Sequence, residues 1–155
     1  MEQQTPGSPS QGMKWFKFII WVQLILNAIA SALNAFALFT GASYGGSADM
    51  VYAFYSGMRA VDVVFGIIYL ALAAGAVLVR MGLAKFRRGA PALYLTFLAA
   101  HIAAQILYAV FVMVVTGISP LDMFDISTVT STIGDVALIL INRVYFERRS
   151  HLFVN

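Results

Sequence analysis

Four stretches of this chain, residues 15–39, 57–79, 91–116 and 127–146, each run for 20 residues or longer with at most two charged side chains apiece. A bilayer core about 30 Å thick is crossed by about 20 apolar residues in helix, so every stretch is long enough to span. A transmembrane barrel instead needs short segments of alternating polarity, at least about eight of them. These runs are long, rich in Ala, Leu and Ile, and without alternation. The expectation is an all-α fold, a transmembrane four-helix bundle. Composition points the same way: 61% of residues are hydrophobic, 11% are charged and mean hydropathy is +0.83, against about 25% charged in an average soluble domain. That balance excludes a disordered chain, a collagen-like fibre and an ordinary soluble globule. Cysteine is absent, which excludes disulfides, thiol catalysis and thiolate metal sites.

The segments between the runs carry the helix breakers. Residues 40–56 contain Gly41, Gly45 and Gly46; residues 80–90 are basic and close at Pro91, a first-turn residue for the third helix; Gly117 and Pro120 open the third loop, with Ser127 or Thr128 as N-cap. Residues 1–13 read as a polar, disordered cytoplasmic leader, 14–146 as the four-span membrane domain and 147–155 as a basic cytoplasmic tail. Lys14, Lys17 and the Ala30-Ser31-Ala32 triplet also suit a cleaved signal peptide. The apolar run continues through Phe39, however, which favours an uncleaved helix.

Charge sets the expected orientation. Nine of the ten cations, Lys14, Lys17, Arg80, Lys85, Arg87, Arg88, Arg143, Arg148 and Arg149, belong to one set of loops and ends; the opposite loops hold Asp49, Asp122 and Asp125 without Lys or Arg. The positive-inside rule then puts both termini in the cytoplasm. It also accounts for the sequence pI near 9.4 without nucleic-acid binding. Trp15, Trp21, Tyr52, Phe54, Tyr55, Tyr145 and Phe146 fall where interfacial aromatic belts are expected. Lys85, Arg87 and Arg88 are candidates for contact with anionic headgroups, or simply topology determinants.

Polar residues inside the spans are the candidates for function. At about 100° per residue, Gln23, Asn27, Ser31 and Asn34 share a face of the first span; Tyr94, His101, Gln105 and Tyr108 share one on the third; Thr128, Ser131, Asp135 and Asn142 share one on the fourth. On the second span Arg59 and Asp62 stand three apart with Gly66 on the same face. Polar groups in hydrocarbon are costly unless satisfied, so these faces should meet in a polar seam crossing most of the membrane. Small-residue pairs (Ala28/Ala32, Ala71/Gly75, Ala99/Ala103, Ala100/Ala104) suit close packing. Arg59 and Asp62 are expected to form an ion pair at the outer mouth, with a ligand gate as the rival. Asp135, mid-span, is either a proton or cation site or a neutral carboxyl acting as packing glue with Gln105 or Asn27. His101 titrates near neutral pH but has no His or Cys partner for a metal or haem.

No nucleophile elbow, HExxH motif or P-loop is present. No enzyme activity, cofactor or metal is expected, and Asp122 with Asp125 reads as solvated carboxylates. The ending Asn142-Arg143-Val144-Tyr145-Phe146-Glu147-Arg148-Arg149-Ser150-His151-Leu152-Phe153 resembles that of small uncharacterised multi-pass membrane proteins of bacteria. The resemblance covers this tail alone and implies a bacterial cell-membrane location and no activity. Leu152-Phe153 would also suit a membrane-surface anchor. The expected function is a small transporter or channel-type protein, oligomeric because four helices enclose little space, moving a proton or small polar solute along the seam of Asp135, Asp62, Arg59, His101, Gln105, Asn27, Asn34 and Asn142. The rival is a non-catalytic adaptor binding another membrane protein or lipid.

Overall fold

The computed structural model describes residues 13–119 and 126–154, and the side chains of residues 126–131 lie outside that description. The expectations for the leader, for the Asp122/Asp125 pair and for the side chains of Ser127, Thr128 and Ser131 therefore fall outside the described residues. Among these residues the chain is helical and has no strand. Helix α1 is Lys14–Thr40, α2 Ala48–Phe54, α3 Met58–Ala84, α4 Ala90–Thr116 and α5 Ile126–Glu147. Helices α1, α3 and α4 are long and apolar enough to cross a membrane; at 1.5 Å per residue each reaches about 40 Å. Helix α5 is a further apolar helix beside them. The first run carries straight through Ala30-Ser31-Ala32 as helix.

The helices end where the sequence removes their options. Helix α1 stops at Gly41, which adopts φ +73°, a left-handed conformation that spares a Cβ clash. Helix α4 opens with Pro91 in its first turn and stops at Gly117, whose N–H bonds Met113 O at 2.8 Å. Helix α3 runs five residues past the expected end, through Arg80 to Ala84, because one Arg at an interface does not interrupt a run of good helix formers. Helix α2 was not foreseen; the three glycines of its loop all precede it, leaving residues 48–54 free to coil.

Helix α1 is interrupted at Ile19–Gln23 by a π turn, in which Leu24 N–H donates to Ile19 O five residues back. The widened turn leaves Ile20 O open to the side, where Arg80 Nε of α3 donates to it at 3.2 Å. The Arg80 guanidinium lies 4.5 Å over the Trp21 ring, so one cation ties the two helices by a hydrogen bond and a cation–π contact.

Packing follows chain order: α1 lies along α3, α3 along α4 and α4 along α5. Two apolar cores separate along the long axis. One gathers Ala35, Leu38, Val61, Phe65 and Tyr69 near the α1–α3 loop. The other gathers Phe16, Ile19, Leu24, Leu83, Tyr94 and Phe146 at the opposite end. There a short 3-10 turn, Ser150–Leu152, folds the tail back so that Phe153 packs among Phe16, Phe86 and Phe146 in edge-on and tilted contacts at 5.6–5.9 Å. Phe153 is thus buried in the protein rather than laid on a membrane surface, because an aromatic pocket satisfies its ring better than an interface does. All nine cations of the basic set sit on elements at this end, and Arg59 and Asp49 lie at the other.

Outward faces are apolar: Leu33 and Phe36 of α1, Ile67 and Leu78 of α3, Val114 of α4 and Leu140 of α5 are all more than half exposed. That is the surface a lipid-facing helix presents. The small-residue pairs mostly fall on these exposed faces; Ala32, Ala71, Ala99, Ala100 and Ala103 are exposed. The close approach is elsewhere, at Gly66, where a Cβ would come within 2.7 Å of the Phe39 ring.

Candidate functional site

At the end away from the cations, Asp62 sits in the second turn of α3 with no exposed surface. Three phenols converge on it. Tyr44 Oη, from the turn after α1, donates to Oδ2 at 2.8 Å; Tyr52 Oη, from α2, donates to Oδ2 at 3.0 Å; Tyr108 Oη, from α4, donates to Oδ1 at 3.0 Å. Three hydrogen bonds of this kind satisfy the oxygens of a buried carboxyl group without a salt bridge. Burial foremost, then the hydrogen bond to Asp62, raises the pKa values of Tyr44 and Tyr52 above the ordinary phenol value, so both stay protonated donors. The expected ion pair of Arg59 with Asp62 is not formed. Arg59 is exposed, its guanidinium 5.6 Å over the Tyr52 ring. A short, buried carboxylate already holding three donors leaves a long cation to reach solvent, and burying both charges would cost more desolvation. The result is a clasp: one carboxylate ties the α1–α3 loop to α3 and α4.

At the basic end a second network joins three helices. Trp15 Nε1 donates to Asn142 Oδ1 at 2.8 Å, Asn142 Nδ2 to Tyr94 Oη at 3.1 Å, and Tyr94 Oη to Gln23 Oε1 at 2.8 Å. Asn142 and Tyr94 are fully buried. The bond from Trp15, with the Phe16–Phe146 contact at 6.4 Å, is where α5 reaches α1. A buried amide at this depth must be satisfied, and here each member of the chain has its partner.

Between the two networks the polar groups are not so completed. His101 is the twelfth of the 27 residues of α4, its ring 6.0 Å from Tyr69 and 6.3 Å from Phe97. Its Nδ1 is buried without a hydrogen-bond partner, as is Ser31 Oγ on α1. Asp135, the tenth residue of α5, is half-buried and close enough to His101 for a direct electrostatic interaction. Gln105 and Asn27 are half-buried, whereas Asn34 is exposed. Asn34 thus leaves the expected seam. The inward face of α1 is centred on Leu24, Ser31, Ala35 and Leu38, about 90° round from Gln23, because the tight approach of Phe39 to Gly66 fixes how α1 meets α3. Among the described residues no three His, Cys, Asp or Glu side chains come together as metal ligands would.

Lys85, Arg87 and Arg88 are exposed on the α3–α4 turn. The structure therefore divides the candidate residues: Asp62 and Asn142 each complete a separate network, His101 and Asp135 lie within electrostatic range of each other between them, and Arg59 and Asn34 stand outside. Sequence reasoning placed Tyr52 and Trp15 in aromatic belts and gave Arg80 a topological role only. It left Tyr44 aside. The available signal was the excess of hydroxyl-bearing rings in the loop beside an apolar span that opens with a carboxylate. Comparison with family models, with curated proteins and with solved structures finds no match for this chain.

Proposed function

We propose that the chain is a four-span protein of a cell membrane, with its basic end and both termini in the cytoplasm, that moves a proton or small polar solute past His101 and Asp135. The observation that carries the reading is the buried, unpartnered Nδ1 of His101 on α4, within electrostatic reach of Asp135 on α5. An unsatisfied polar atom between apolar helices is costly and persists where it serves a ligand or a proton. Asn27 and Gln105, half-buried in the middle of α1 and α4, add hydrogen-bonding capacity at a similar level along the helices. Cation clustering at one end supports the orientation, and the tail's resemblance to bacterial multi-pass proteins supports a bacterial membrane. Four helices enclose little space, so the pathway is proposed to work in an oligomer.

Proton flux in proteoliposomes tests the proposal. Wild type should show pH-dependent flux. Asp135→Asn, nearly isosteric but unable to titrate, should keep the fold and lose that flux. Full retention of flux and its pH dependence removes Asp135 from the pathway. A second reading, a non-catalytic adaptor for another membrane protein or lipid, draws on the completed hydrogen bonding of Asp62 and Asn142, which makes those two groups structural ties. Wild-type protein that carries no protons, alkali cations or small polar solutes would favour it.

A further inference from the structure

We infer that the short helix α2 lies in the plane of the membrane at the clasp end, seated at the boundary of headgroups and acyl chains, with Met50 and Phe54 inserted among the lipids. The protein fixes the rotation of α2 about its own axis. Tyr52 donates to the buried Asp62 at 3.0 Å, and Ala48 lies so close to Gly41 that a Cβ on the glycine would come within 2.6 Å of the Ala48 Cβ. At about 100° per residue, Ala48 and Tyr52 stand about 40° apart, on the side that faces the bundle. Met50 and Phe54, four residues apart, fall on the opposite side and are 64% and 79% exposed. No large apolar side chain among the described residues is more exposed than Phe54. Asp49 and Ala53, both exposed, share the flank between the two sides. That is the pattern of an interfacial helix: protein on one side, lipid on the other and a polar flank turned to water.

The height of α2 along the bundle selects lipid as the occupant. Tyr108 of α4 reaches the same carboxylate as Tyr52 and lies eight residues before the end of α4 at Thr116. At 1.5 Å per residue that level is about 12 Å in from the end of α4. With 27 residues, α4 is about 40 Å long and, centred on a hydrocarbon core of about 30 Å, overhangs it by about 5 Å at either end. The clasp therefore lies inside the edge of the core, and α2, one tyrosine side chain away, lies at the height of the last turns of α4 rather than beyond them. The spans already turn apolar surface outward at this height: Val63 and Val64, next along α3 after Asp62, are both exposed. The face of Met50 and Phe54 continues that lipid-facing surface, and a ring and a thioether held there meet glycerol and acyl chains instead of water.

Transport plays no part in this placement, which shares with that reading only the bilayer around the spans. The chain has no cysteine, so one nitroxide at a time can be attached to the full-length protein in phosphatidylcholine vesicles. Spin labels at Met50→Cys and at Phe54→Cys should collide with dissolved oxygen in preference to a water-soluble nickel chelate, with a ratio shifted toward that of Phe36→Cys on the outward face of α1. A label at Asp49→Cys should show the reverse preference. All four side chains are exposed, so each variant keeps the packing of the wild type. Nickel collisions at positions 50 and 54 equal to those at Asp49→Cys would put α2 in water and overturn the inference. Protection of both positions from both reagents would mean that protein covers them, a second copy or another chain, and would overturn it also. Aqueous readings confined to α2 leave the membrane reading of the spans standing, whereas nickel access at Phe36→Cys as well would remove both together.

Discussion

Asp62 shows how a carboxyl group can be held inside an apolar protein by hydrogen bonds alone, with no salt bridge. Its two oxygens take three phenol hydrogens from three different segments, so its removal strands three donors at once. Asp62→Ala should lower the stability of the detergent-solubilised protein by about 2–4 kcal/mol, since orphaned buried donors cost about 1–3 kcal/mol each and part of the loop can relax to water. Arg59→Ala, three residues away but exposed, should stay within about 0.5 kcal/mol. Thermal unfolding of the two variants side by side checks the contrast; equal losses would restore the ion pair. The same clasp fixes a pH response. The folded-state pKa values of Tyr44 and Tyr52 are raised above 10.0, so the protonated phenol is the form the fold favours. Their contribution is fully present below about pH 10 and is lost as pH rises through the raised values. Ultraviolet titration of tyrosinate should find these two rings ionising late, together with loss of structure. Normal titration of all seven tyrosines would contradict the clasp. Asp62 and Tyr108 stood on the polar faces read from the sequence, and they meet; Tyr44 and Tyr52 were not legible there, because they arrive from a loop whose path no periodicity encodes. Asn142 was legible: a lone amide near the basic end of an apolar run has to find partners, and it does.

At the scale of elements, run length alone located the four long helices, though not the short α2, because a 20-residue apolar stretch has one economical backbone solution in lipid. Which face of each helix turns inward was harder to read. Polar residues suggested a face for α1 that includes Asn34, yet the packed face is set by steric fit, Phe39 lying on Gly66, and leaves Asn34 exposed. The small-residue spacings misled for the same reason: alanines on a lipid-facing surface look identical in sequence to alanines at a contact. The two non-standard joints, the π turn caught by Arg80 and the tail plugged by Phe153, were invisible to pattern reading, since both depend on what lies opposite. Each yields an expectation. Arg80→Ala removes a hydrogen bond and a cation–π contact and should cost about 1–3 kcal/mol. Phe153→Ala should cost about 2–4 kcal/mol, as for a buried ring, whereas Val154→Ala beside it, exposed, should cost little. Chemical or thermal unfolding in detergent measures all three. A Phe153→Ala variant as stable as Val154→Ala would return the tail to the membrane surface.

Over the whole molecule the polar groups sort into a clasp at one end, a saturated hydrogen-bond chain at the other and an incomplete pair between them. Nine of the ten cations gather at the end opposite the clasp. The proposed transport past His101 and Asp135 and the proposed placing of the tyrosine clasp at an outer mouth both depend on that axis lying across a bilayer with the cations inside. The chain has no cysteine, so single engineered cysteines report its sides without background. Ser43, in the loop beside the clasp, and Ser150, in the tail, are both exposed. Intact cells treated with a membrane-impermeant maleimide should label Ser43→Cys and spare Ser150→Cys until the membrane is permeabilised. Labelling of Ser150→Cys with protection of Ser43→Cys would reverse the axis, and labelling of both in intact cells would mean that the four helices do not cross as an even number of spans.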